Sequence, residues 1–141
     1  MSRFVLDASV AVKWLIPEAH SGAAIRLLKE KHTFYAPGLI YGEVGNVLWK
    51  RARRGDITFP YAQKALALFM GLALEVQPAA PLTPVALKFA LAAACSVYDA
   101  FYLILAMERS APLVTADKKL IESVTAAGAG EYILWLGGAV P

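Results

Sequence analysis

The stretch Ser110-Ala-Pro-Leu-Val-Thr-Ala-Asp-Lys-Lys-Leu120, read together with Val97-Tyr-Asp-Ala-Phe-Tyr-Leu-Ile-Leu-Ala106 just before it, decides the fold. Pro112 to Thr115 reads as a short buried strand, and Asp117 opens a helix behind it. Upstream of that strand, Asp99 falls in the first turn of an almost wholly apolar helix. A carboxylate at a helix start directly after a strand lies at the carboxyl edge of a sheet, where open α/β folds bind ligands. Two acids near one such edge point to a metal site.

Outward from there, the chain repeats the same alternation. Arg3 to Asp7 reads as a short apolar strand, and Ser9 stands at an N-cap position for a helix from Val10 to Ile16 that Pro17 stops. A helix over about His20 to Glu30 and a strand over Thr33 to Ala36 follow. Leu39 to Arg54 reads as a long helix ending at Gly55, and Thr58 opens another over Phe59 to Leu74 with Pro60 in its first turn. Glu75 to Gln77 is a short strand. The helix beginning near Pro84 carries Leu87, Leu91 and Ala94 on one face, and its neighbour begins at Tyr98. Gly128 and Gly130 lead to a last strand, Tyr132 to Trp135. Short continuous apolar strands alternating with helices predict an α/β fold whose parallel sheet is buried on both faces. Right-handed crossovers place the ends of the first and fourth strands along one edge.

The 141 residues read as a single domain spanning 1–141. Hydrophobic residues make up 58% and the mean hydropathy is +0.51, high enough to predict that another chain covers part of the apolar surface. Phe89 to Met107 is the one membrane-like run. Asp99 sits in its middle, where a carboxylate costs about 2.5–3.5 kcal/mol, and Ser96 divides it. It reads as a buried helix pair, so no membrane partner is expected. Asp7 interrupts what would be the apolar part of a signal peptide, and the lone Cys95 suits a reducing compartment; a cytoplasmic location follows. The net charge of +3 permits a nucleic-acid partner without demanding one.

Four acids have apolar neighbours: Asp7, Glu43, Asp99 and Asp117. Singly, each has an ordinary use, as a helix cap, a dipole partner or half of an ion pair. Together they repel and are expensive to hold unless a cation balances them. Mg²⁺ or Mn²⁺, with oxygen ligands and retained water, resolves that repulsion and suits phosphoryl chemistry. No His- or Cys-rich spacing competes for zinc, and His20 and His32 read as surface residues. There is no glycine-rich phosphate loop, no G-x-S-x-G, and no nucleophile–base pair near Cys95.

The segments Leu6-Asp-Ala-Ser9, Glu43-Val-Gly-Asn-Val-Leu48, Tyr98-Asp-Ala-Phe-Tyr-Leu103 and Leu113-Val-Thr-Ala-Asp-Lys-Lys-Leu120, in this order, resemble the four motif blocks of PIN-domain proteins, among which the VapC-type toxins are nearest in length. The resemblance implies a Rossmann-like three-layer α/β/α sandwich with a central parallel sheet of about five strands, and Mg²⁺- or Mn²⁺-dependent cleavage of RNA. By position, Asp7 and Asp99 match the acids that hold the metal most directly, and Glu43 and Asp117 the other two acids of the pocket. Ser9 and Thr115 match supporting hydroxyls, and Asn46 a polar position that helps orient Glu43. Where some members carry a further acid, this chain has Lys118, Lys119, Leu120 and Ile121, which argues against a second tightly held metal. The resemblance further implies a homodimer and a VapB-like antitoxin partner, with helices around Trp14-Leu15, Trp49 and Leu66-Phe69-Met70 as contact regions.

The run Lys50-Arg-Ala-Arg-Arg54 has two readings. Basic residues in a last turn complement the helix dipole; alternatively Lys50, Arg51, Arg53 and Arg54, with Lys118, form a phosphate-contacting rim for RNA. Three other functions compete with the toxin. One is a PIN nuclease of RNA maturation outside any toxin–antitoxin pair. Another is a receiver-like signalling domain, which would want adjacent acids after the first strand where this chain has Ala8-Ser9. The last is a binding module without catalysis.

Overall fold

The computed structural model describes residues 2–138. Five strands, β1 (Arg3–Leu6), β2 (Thr33–Pro37), β3 (Leu74–Gln77), β4 (Leu113–Thr115) and β5 (Ile133–Trp135), form one sheet in the order β3-β2-β1-β4-β5. Every pairing is parallel, with Val5 opposite both Tyr35 and Leu113, and Thr115 opposite Trp135. Between the strands lie α1 (Ala8–Leu15), α2 (Ser21–Lys29), α3 (Ile40–Arg53), α4 (Phe59–Met70), α5 (Thr83–Ala93), α6 (Val97–Arg109) and α7 (Lys118–Ala126). Strand order runs one way from β1 to β3 and the other way from β1 through β4 to β5. Right-handed crossovers therefore place α1–α4 on one face and α5–α7 on the other, which is the expected three-layer sandwich. The reversal between β1 and β4 is a topological switch point, and the crevice beyond the carboxyl ends of these two strands is where such sheets bind ligands.

The central strands are apolar along their length because both faces are covered: Phe4, Val5, Leu6, Leu113 and Val114 are all buried. Helix α6 is buried on every side from Ala100 to Ala106, packed between the sheet and α5. Ser96 caps it, its hydroxyl accepting from the Asp99 amide at 3.1 Å. No single helix among the described residues is long and apolar enough to cross a membrane, and the segments Ala80–Ala93 and Val97–Arg109 are bent by 109° at their junction.

Four expectations need correction. The cap of α1 is Asp7, not Ser9: Asp7 is extended (φ −83°, ψ 147°) and its carboxylate accepts the Ser9 amide. Both residues are good caps, and the strand end leaves Asp7 in the required conformation. Helix α4 ends at Met70 with Gly71 as its cap, so Leu74 belongs to β3. The buried face of α5 is Ala86, Ala90 and Ala93, while Leu87 and Leu91 point outward, 53% and 80% exposed. An apolar helix does not reveal by composition which stripe is inward; here the alanines let α5 approach α6 closely. His32 is not a surface residue: its side chain is 7% exposed and meets the Phe4 ring edge-on. His20 is exposed, as expected.

Candidate active site

Asp7 immediately follows β1, and its carboxylate is held from two sides of the switch point. Oδ1 accepts the Ser9 amide at 3.3 Å; Oδ2 accepts the Ser9 hydroxyl at 3.1 Å and the Thr115 hydroxyl at 2.5 Å. Thr115 ends β4 and is completely buried. Its single proton is committed to Asp7, so its lone pairs face the Asp117 amide, which donates to Oγ1 at 3.1 Å. Ser9 repeats the device, its Oγ accepting the Ala116 amide at 3.2 Å. Asp117 caps α7, with Oδ1 accepting from the amides of Lys119 and Leu120. Two hydroxyls thus tie the end of β1 to the end of β4 and fix where both carboxylates stand.

Asp99 approaches from the first turn of α6 and Glu43 from the first turn of α3. Glu43 accepts the Tyr102 hydroxyl at 2.5 Å. Tyr102 lies one helical turn after Asp99 and is 1% exposed, so α6 supplies one acid and also the group that orients another. Sequence reasoning missed Tyr102; its only signal is the three-residue spacing from Asp99, which puts both on one helix face. Asn46, expected to orient Glu43, is exposed, and among the described residues the hydrogen bond to Glu43 comes from Tyr102.

Burial, more than anything else, raises the pKa of the Asp7 carboxyl, with a smaller contribution from the charge of Asp117, against the three hydrogen bonds it accepts. Glu43 is likewise raised, mainly by burial and then by Asp7 and Asp99, while the Tyr102 hydroxyl pulls it back. Asp99 is raised by burial and by Asp7. Burial, and after it the charge of Glu43, pushes the Tyr102 phenol far up, keeping it a proton donor. The acids therefore share one field. Among the described residues, none of the four forms an ion pair with a basic side chain.

The donor set suits a hard divalent cation, since every candidate ligand is a carboxylate oxygen. Among the described residues no three His, Cys, Asp or Glu side chains form a ready-made coordination cluster. Mg²⁺ characteristically keeps several waters and takes only one or two protein carboxylates, so an open arrangement of this kind fits it.

The basic run lies elsewhere. Arg53 is ten residues beyond Glu43, about 15 Å along the helix axis. Arg51 is bound by Glu18, and Arg54 by Asp56 at 2.8 Å. Arg53 stacks over the Trp49 ring, and Lys50 is exposed. Lys118 adjoins the acids directly, through Asp117.

A family model described as PIN domain matches residues 4–125. The chain belongs to the PIN domain family. That membership removes the receiver-like alternative and agrees with the sheet order. This PIN domain is 33% identical over 126 residues to the ribonuclease VapC3 of Pyrobaculum aerophilum, covering 88% of this chain and 96% of that protein. Among solved structures it is similar to PAE2754 from the same organism, with a TM-score of 0.70 and 26% identity over 96% of this chain and 84% of that one. The fold also matches the sarcin–ricin-loop-cleaving toxin VapC20 of Mycobacterium tuberculosis (TM-score 0.68, 19% identity, 89% and 95% covered). A further match is VapBC2 of Rickettsia felis, solved bound to a DNA fragment from its promoter (TM-score 0.63, 15% identity, 94% and 98% covered).

Proposed function

We propose that this PIN domain is a divalent-cation-dependent endoribonuclease and the toxin of a VapBC-type toxin–antitoxin pair. The observation that carries the reading is the convergence of Asp7, Glu43, Asp99 and Asp117 at the switch point with no basic partner to balance them among the described residues. Likeness to VapC3 along nearly its whole length supports RNA as the substrate. The alternative, a PIN nuclease of RNA maturation, shares the chemistry and differs in partner; a small antitoxin reading frame beside this gene separates the two.

In this reading Asp7 and Asp99 hold Mg²⁺ or Mn²⁺, and Glu43 and Asp117 complete the acidic surround. The ion, when bound, supplies Lewis acidity toward a phosphoryl oxygen and neutralises charge that develops on it. The hydroxyls of Ser9 and Thr115 keep the Asp7 carboxylate aimed. Glu43 has one oxygen tied to Tyr102, leaving Oε2 to accept a proton from the attacking water. Water oxygen bonds to phosphorus as the bond to the opposite ribose oxygen breaks in line, and that oxygen takes up a proton from solvent while Glu43 later returns its own to solvent. Cleavage of a purified RNA is expected with Mg²⁺ or Mn²⁺, to vanish with EDTA, and to return on adding back the ion. Sequencing the ends produced after induced expression identifies the target; an unchanged RNA population would refute the nuclease.

Tyr102→Phe tests the base. It removes the donor to Glu43 and leaves a partly buried carboxylate less satisfied, which shifts its pKa further upward. Activity is expected to fall about tenfold, with the acid limb of the rate–pH profile moving to higher pH. A profile with unchanged shape would remove Glu43 from proton transfer.

Two exposed apolar surfaces support the expected partners. Val85, Leu87 and Leu91 on α5, with Tyr98, form one, and we assign it to the homodimer. Leu91→Glu is expected to convert a dimer to a monomer in light scattering with the circular dichroism unchanged. The other is a cavity of about 170 Å³ between α3 and α4, lined by residues including Gly45, Trp49, Phe59 and Leu66. A Cβ at Gly45 would meet nothing within 4 Å, so the groove has room for an apolar antitoxin segment. Trp49, which lines it, and Met70 elsewhere on α4 are exposed, whereas Phe69 is buried and Trp14 is half-buried with its Nε1 donating to the Ala24 carbonyl. These last two belong to the core, not to an interface.

A further inference from the structure

We propose that Trp135, His20 and Lys118 form a stacking subsite for an unpaired nucleotide of the RNA, beside the acidic hollow. The proposal rests on the ribonuclease reading above and names which part of the RNA the chain grips.

Trp135 ends β5 directly opposite Thr115, the residue whose hydroxyl holds Asp7. Adjacent strands lie about 4.8 Å apart, so the indole stands one strand away from the residue that aims the central acid. It borders an open cavity of about 490 Å³ shared with Ser9, His20, Asp117, Lys118 and Lys119. Ser9 and Asp117 belong both to this cavity and to the hydroxyl–carboxylate network. A phosphate at Asp117, the acid of the four that lines this cavity, and a neighbouring base on Trp135 would therefore occupy continuous space.

The groups round the indole are those that recognise a nucleotide. Lys118 Nζ lies 4.2 Å from the centre of the Trp135 ring. The His20 ring meets the indole edge-on, with centroids 5.5 Å apart and planes at 73°. Gly137 packs so closely that a Cβ on it would come 2.5 Å from the ring. His20 adopts a left-handed backbone conformation (φ 66°, ψ 11°) although its side chain makes no capping hydrogen bond to α2. Such a conformation costs a non-glycine residue stability and is concentrated at functional sites. Here it sets the imidazole against the indole. An ordinary core contact would hide this pair, yet His20 and Lys118 are exposed and Trp135 is half-buried.

An aromatic face next to mobile cations takes the π-face of a base and the phosphate attached to it. Paired bases hide those faces within the stack, so the ligand is single-stranded. Lys118 covers the ring in the free protein, and its long side chain moves from the indole to the phosphate as the base arrives.

The test uses the full chain carrying Asp7→Asn, with EDTA, so that RNA is bound and not cut. Fluorescence polarisation of a labelled, unstructured RNA oligonucleotide reads the affinity. Adding Trp135→Ala is expected to weaken binding about 10-fold or more, within the range for loss of one stacked base, and Trp135→Phe to weaken it less. A single abasic position in the oligonucleotide is expected to reproduce the loss, and to have no further effect in the Trp135→Ala chain. His20→Ala with Lys118→Ala, both at exposed positions, is expected to weaken binding at least fivefold and serves if Trp135→Ala does not fold. Binding within twofold of the parent for a folded Trp135→Ala chain, or for the double variant, overturns the proposal, as does equal affinity for duplex RNA. Cleavage by the wild type is followed alongside. Cleavage with no effect of Trp135→Ala on binding removes the subsite and keeps the nuclease. Binding through Trp135 without cation-dependent cleavage keeps the subsite and removes the nuclease.

Discussion

Asp7→Asn is expected to abolish cleavage, by about 10³-fold or more, and at the same time to raise the melting temperature of the cation-free chain. Both effects come from one carboxylate. As the N-cap of α1, Asp7 is replaced without penalty by Asn, an equally good cap. With its oxygen on the Ser9 amide as the cap requires, the new side chain turns its NH₂ toward the Thr115 and Ser9 hydroxyls, whose oxygens can accept from it. What disappears is a buried negative charge next to the charge of Asp117 and within the field of Glu43 and Asp99. Relieving an unfavourable charge commonly gains on the order of 1 kcal/mol, or about 4 °C for a domain of this size. Calorimetry and RNA cleavage on the same preparation check the pair. A variant that is inactive but less stable would mean that Asp7 is chiefly a structural cap; a fully active one would remove it from the site.

The cation-free wild type is expected to become more stable as the pH falls toward the ordinary carboxylate range, opposite to the common acid sensitivity of paired carboxylates. Asp7, Glu43 and Asp99 all have folded-state pKa values raised above their ordinary ones. The folded chain therefore binds more protons than the unfolded chain in the window that opens just above the ordinary carboxylate range. The stability these groups contribute is fully present below that range and is lost as the pH climbs through the raised values. A divalent cation replaces the protons. At one hundred times its dissociation constant it stabilises the folded state by about 2.7 kcal/mol, and this gain fades on acidification as protons compete for the same oxygens. Melting curves at several pH values, with and without Mg²⁺, measure both trends, and Asp7→Asn is expected to flatten both. A cation-free chain that loses stability steadily on acidification toward the ordinary carboxylate range, with the variant parallel to it, would show that these acids do not share a strained pocket.

How far the site can be read from the chain depends on how local each cause is. Asp99 and Asp117 are legible because a helix start is a local event: Ser96 caps α6 and Asp117 caps α7 within a few residues of themselves. Asp7 is legible as an acid closing an apolar strand, although the choice between Asp7 and Ser9 as cap depends on where the strand releases the chain. The inward face of α5 is not legible, because alanine and leucine alternate along an apolar helix and only the approach of α6 selects between them. Nor is Tyr102, whose role depends on α3 bringing Glu43 across to α6. The basic run illustrates the same limit. Its charges are plain in the sequence, but Arg51 is engaged by Glu18, 33 residues away, which leaves Lys50 and Arg53 as the phosphate contacts the run can offer. Trp135 and His20 meet across most of the chain length, and no spacing announces them.

The hydrogen bond from Thr115 to Asp7 joins residues 108 positions apart, and this has a bearing on how such a chain can be made safely. A ribosome synthesising it exposes Asp7 well before the partner that aims that carboxylate, which lies 108 positions further on. Until β4 slots in beside β1, the pocket has neither Thr115 nor Asp117. Under the proposed reading, a growing polypeptide that has not yet added β4 cannot hold its central carboxylate in aim, so cutting waits on that strand.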